Sequence, residues 1–226
     1  MSKDTTTTKP VTAISETAAR VSFAAAATFV VLLAALHVLE PEFDPSWRFI
    51  SEYELGRYGW IMVLAFLSLA VSYVALFIAI RSQLWTIVDR IGLALLLISA
   101  VGLAMAGIFT TDPITTSPDA ATTSGMLHSV GGTLGLAMTF AAAIISWNLA
   151  RNPAWSMARR PLLWAAGIAV ASTVAFIVFT IMVLPSDGKF GPDVLVGWPS
   201  RIEILAYSAW LMVVARQAIR VRGQKP

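Results

Sequence analysis

The chain has 226 residues, of which 57% are hydrophobic and 13% charged, with a net charge of +3 and no cysteine. A soluble domain carries roughly a quarter charged residues, so this composition excludes an ordinary water-soluble fold. The lack of cysteine excludes a disulfide framework and a thiolate metal site, and the small positive charge, explained below by its distribution, is no nucleic-acid signature.

Residues 1–19 (MSKDTTTTKPVTAISETAA) are Thr-rich and polar and read as a mobile tail. Six apolar runs follow, at about 21–39, 58–80, 91–109, 127–149, 162–184 and 202–219. Each is long enough to cross a hydrocarbon core of about 30 Å. Backbone in hydrocarbon must satisfy its own hydrogen bonds, so each run is expected to be a helix. The first run follows Arg20 and precedes further spans, so it reads as a retained anchor, not a cleaved signal peptide. The expected fold is an all-α integral membrane bundle of six transmembrane helices, with a short basic tail over 221–226.

Orientation follows from the basic residues. With the N-terminus in the cytoplasm, 12 of the 16 Lys and Arg fall inside, and only Arg48, Arg57, Lys189 and Arg201 fall outside. Ten of the 13 acidic residues fall outside. Both termini are therefore expected to be cytoplasmic. Trp47, Tyr53, Tyr58 and Trp60 would form an outer aromatic belt, and Trp85, Trp147, Trp155 and Trp164 an inner one.

The segment 37–60, HVLEPEFDPSWRFISEYELGRYGW, is the densest polar stretch. Within it, 44–56 reads as a short interfacial helix capped by Asp44, with Pro45 in its first turn. This topology gathers both histidines and most carboxylates on one face. The expected ligand pocket comprises His37, Arg57, Asp112, His128, Arg201 and Glu203. Arg201 and Glu203 are two residues apart and cannot face each other on a helix. Asp112 is the expected partner of Arg201, and Arg57 that of Glu203. On the fourth run His128, Gly131, Gly132, Gly135, Thr139, Ala142 and Ser146 share one face, and Gly131 with Gly135 permits close helix approach. Gly92, Ser99, Gly102 and Ala106 on the third run, and Gly167, Ala171 and Ala175 on the fifth, read as further packing seams. The inner half of the bundle offers no polar side chains to extend a path across the membrane.

ISEYELGRYGW before the second run, GIFTTDP after the third and LHSVGG opening the fourth resemble the six-span bacterial family known as domain of unknown function 998. The resemblance covers roughly residues 30–220 and implies a six-helix architecture and a bacterial inner-membrane location, but no reaction. Four functional readings stand. The pocket could bind a small polar molecule or a lipid head group. His37, His128 and Asp112, with Glu40 or Glu203, could hold zinc for hydrolysis of a lipid ester or amide. His37 and His128 could ligate a b-type haem. The chain could instead be a structural subunit beside a membrane-protein partner. The lack of any lysine within a span excludes a retinal Schiff base.

Overall fold

A computed structural model describes residues 14–184 and 190–223. Seven helices carry the six spans: α1 (Glu16–Leu39), α2 (Gly59–Ile80), α3 (Ile87–Ile108), α4 (Thr123–Gly135), α5 (Ala137–Arg151), α6 (Arg159–Val183) and α7 (Gly197–Gly223). α4 and α5 share the fourth span, and all six spans are long and apolar enough to cross a membrane. Three spans start earlier than their apolar runs because polar side chains cap them. Ser15 accepts from Ala18 N, and Thr122 accepts from Gly125 N at 2.9 Å. Thr86 and Asp89 form a reciprocal cap, Thr86 Oγ1 accepting from Asp89 N and Asp89 Oδ2 from Thr86 N. The expected tails lie largely outside the described residues, as do Asp187 and Lys189.

The spans form a closed ring in chain order, with α7 packed on both α6 and α1 and also touching α2. The two ends of the described chain meet, Arg222 lying 3.4 Å from Glu16. α2 and α7 are the most buried spans and α6 the least. Buried hydroxyls link spans: Ser72 donates to Ser22 O at 2.8 Å, and Trp210 Nε1 donates to Ser146 Oγ at 2.8 Å.

Two seams answer the small-residue stripes differently. A Cβ on Gly102 would stand 2.5 Å from Gly131 O, and one on Gly131 would stand 2.6 Å from Gly102 O, so α3 and α4 touch backbone to backbone. A Cβ on Gly167 would meet nothing within 4 Å, so the expected α6 seam faces outward and lines an open apolar groove with Trp147, Ala171 and Ala175.

The fourth span is not one helix. It breaks at Leu136, where Leu136 N turns back to Thr133 O and Thr139 N to Leu136 O. Three glycines in five residues (131–135) weaken the helix there. Beyond the break α5 packs on α3 and α6, whereas α4 packs chiefly on α3. The polar segment 40–56 also differs from expectation. It is a series of turns followed by a 3₁₀ helix over Ile50–Leu55, and Asp44 accepts from Ser46 N at 2.8 Å in a local turn. Tyr53 and Trp155, expected in the aromatic belts, are buried, while Trp60, Trp85, Trp147 and Trp164 are exposed.

Candidate functional site

The acidic face is stitched by buried side chains. Arg201, 2% exposed near the start of α7, reaches across to the first connection. Its Nε donates to His37 Nε2 at 2.9 Å, and Nη1 donates to Arg48 O at 2.6 Å and to Gly197 O at 3.1 Å. Its guanidinium also lies over the Tyr53 ring, 5.8 Å from the centroid. The His37 Nδ1 proton goes to Leu33 O at 2.7 Å. Both ring nitrogens of His37 are therefore engaged. Glu52 accepts from Arg48 Nη1 at 2.7 Å, Phe49 N at 3.2 Å and Ile114 N at 3.0 Å, joining two connections. Glu40 accepts from Tyr58 N and packs its carboxylate against Gly56, where any Cβ would collide with it.

A second knot surrounds the start of α4. Asp112 accepts from Thr122 N and Thr122 Oγ1, both at 2.8 Å. His128 Nδ1 donates to Phe109 O at 2.9 Å and lies 3.6 Å from Glu54 Oε2, which accepts from Thr111 N at 3.1 Å. Glu54 Oε1 is buried with no partner. Burial outweighs the Thr111 bond and raises the Glu54 pKa to about 7 from its ordinary 4.5. A carboxyl with a raised folded pKa stabilises fully below the unfolded value and loses that contribution as pH rises toward 7. Glu54→Gln is therefore expected to flatten the fall in stability between pH 5 and pH 8. Thermal midpoints of both proteins across that range check it, and parallel profiles would refute it.

Below these knots lies a cavity of about 170 Å³ between α4 and α7. Phe49, Ile50 and Ser51 line it from the 3₁₀ region, Phe66 and Tyr73 from α2, and Leu103 and Ala106 from α3. His128, Gly132, Gly135 and Leu136 line it from the fourth span, and Ser200, Glu203, Ile204 and Tyr207 from α7. The wall is mostly apolar, with a few convergent polar groups. Protein does not close the glycine side: a Cβ on Gly132 or Gly135 would meet nothing within 4 Å, and Gly132 is exposed.

A cluster of hydroxyls continues inward from Glu203. Tyr207 OH donates to Glu203 Oε1 at 3.0 Å, and the Thr139 and Thr173 hydroxyls lie 2.5 and 2.6 Å from Tyr207 OH. Thr173 is also within 3.1 Å of Ala169 O. The middle of the bundle is thus more polar than its hydropathy suggests. The cluster draws one residue each from α5 and α6 and one from α7, and no local spacing connects them.

The expected site residues therefore separate. His128 and Glu203 share the cavity. His37 and Arg201 pair with each other in the cap, Asp112 closes a loop, and Arg57 is exposed over the Tyr58 ring at 5.5 Å. Arg201 takes His37 in place of Asp112, and Glu203 takes Tyr207 in place of Arg57. Among the described residues no three His, Asp or Glu side chains converge as a metal would require. The occupied nitrogens of His37 do not fit it as a zinc or haem ligand. Tyr73, Tyr207 and Thr173 are residues that sequence reasoning missed, and Thr139 was read only as part of the small face below His128.

A family model described as protein of unknown function (DUF998) matches residues 23–217. No curated protein and no solved structure matches the chain.

Proposed function

Because the chain belongs to the DUF998 family, and that membership carries a fold without a reaction, we propose from its geometry that it binds a membrane-borne amphiphile. The head group occupies the cavity beside His128, Glu203 and Tyr207, and the apolar part leaves along the glycine side of α4. The observation that carries this reading is the small, mostly apolar cavity with polar groups gathered on one side and a wall left open at Gly132 and Gly135. Apolar walls supply burial and a few polar groups supply orientation, which is the usual division in small-molecule sites. In this reading both termini are cytoplasmic, in agreement with the basic residues at the ends and on alternate connections, and the membrane is the bacterial inner membrane. The cavity then lies in the outer half of the bilayer.

Gly132→Leu tests it. The Cβ of a leucine at this cavity-lining position meets no protein atom within 4 Å, so the side chain is expected to fill the open side of the cavity. The variant is expected to fold like the parent and to lose the amphiphile that copurifies with it. Mass spectrometry of organic extracts from equal amounts of the two proteins checks the loss. Identical extracts from both would sink the reading.

A further inference from the structure

The cavity has a pronounced charge asymmetry. Its lining includes one carboxylate, Glu203, and one imidazole, His128, but no lysine or arginine. Glu203 is 7% exposed. Among the described residues it forms no ion pair, and its bonded neighbours are hydroxyls. Arg201, two residues earlier, points elsewhere and is fully engaged with His37, Arg48 O and Gly197 O. A buried carboxylate without a counter-charge is costly, and its usual resolutions are protonation or a cationic partner. Four aromatic side chains, Phe49, Phe66, Tyr73 and Tyr207, line the same space. Aromatic faces attract cations and leave an anion without compensation. An anionic head would face Glu203 with no basic side chain on the lining. An ammonium brings three donors and a positive charge to a lining that has no lysine or arginine.

Resting on the amphiphile-binding reading above, we propose that the ligand's head is a primary ammonium on an apolar stem and that Glu203 is its counter-ion. The same chemistry arises from an ethanolamine lipid head and from a water-borne alkylamine. A head of a few heavy atoms suits the cavity's size, and the stem follows the open side at Gly132 and Gly135.

The experiment compares three probes of equal length, hexylamine, hexanol and hexanoate, by their effect on the thermal midpoint of the full-length protein. It is run in neutral detergent and in phosphatidylglycerol nanodiscs, on the wild type, Glu203→Gln and Gly132→Leu. Expected is binding of hexylamine about tenfold tighter than hexanol, with no shift from hexanoate. In Glu203→Gln the amine advantage falls away while hexanol still binds, which also shows that the variant is folded. In Gly132→Leu all shifts vanish. Equal binding of amine and alcohol, or an amine preference that survives Glu203→Gln, overturns the ammonium assignment and leaves the cavity reading standing. Failure of all three probes on folded wild-type protein in both media overturns the cavity reading and the ammonium assignment with it. Transfer to phosphatidylethanolamine nanodiscs separates the sources. Competition against hexylamine supports a lipid head, and undiminished hexylamine binding supports a water-borne amine.

Discussion

Arg201→Ala is expected to destabilise the bundle by about 3 kcal/mol, more than any other single side-chain truncation in the acidic cap. The guanidinium is the shared donor for His37 Nε2, Arg48 O and Gly197 O. Removing it leaves three acceptors without that donor, the bond to Gly197 O being fully buried and the other two partly so. Arg201→Lys is expected to recover little, because one ammonium cannot reproduce a planar fork aimed at acceptors on both sides. His37→Ala, by contrast, removes one acceptor and leaves the others satisfied, so its cost is smaller. The double variant should cost less than the sum of the two singles, since they share a bond. Eight tryptophans and no cysteine make intrinsic fluorescence the suitable readout of thermal unfolding. A midpoint for Arg201→Ala within the error of the wild type would show that the cap is held by something else.

Gly131→Ala and Gly102→Ala should each cost about 2 kcal/mol or more, and the reason is steric. Each added methyl would approach a backbone carbonyl of the facing helix at 2.6 or 2.5 Å, and a carbonyl on a packed helix cannot rotate aside as a flexible side chain can. The helices must separate, and α3 would then lose its contact along α4. Gly167→Ala is the matched control. Its methyl meets nothing within 4 Å on the outward face of α6, so it should be neutral or raise stability by up to about 1 kcal/mol through helix propensity. Thermal midpoints of the three variants in one detergent check the contrast. Equal effects at Gly131 and Gly167 would mean that the close approach carries no energy.

The spans were legible because hydropathy is an additive property of long windows. The run at 58–80 became Gly59–Ile80 almost unchanged, while 202–219 became Gly197–Gly223 because polar turns of helix at both ends add nothing apolar to see. The break at Leu136 was less visible: Gly131 and Gly135 are equally the signature of a packing seam and of a weak helix, and here Gly131 packs while Gly135 opens onto a cavity. Half of the strongest site pair was readable, since a histidine above a column of small residues must face protein. His128 does so. Its companions depended on which residues three-dimensional packing brings opposite one another. Arg201 and His37 are 164 positions apart, and nothing local distinguishes that pairing from Arg201 with Asp112. Tyr207, Thr139 and Thr173 each look like isolated hydroxyls in apolar helices, and only their convergence makes them a cluster.

The adjacency of α1 and α7 bears on how the molecule is made. Translation delivers α1 before the other described spans and its partner α7 after them, so the nascent chain holds an unclosed ring while the spans between are made. Until α7 emerges, His37 and Arg48 O lack their donor, and one flank of α1 meets lipid in place of protein. The last helix thus acts as a keystone whose arrival completes the polar cap and the cavity wall together. A ribosome stalled before residue 197 would leave inserted helices that have no binding site. Quality-control machinery would meet that intermediate as an open bundle with its cap unsealed.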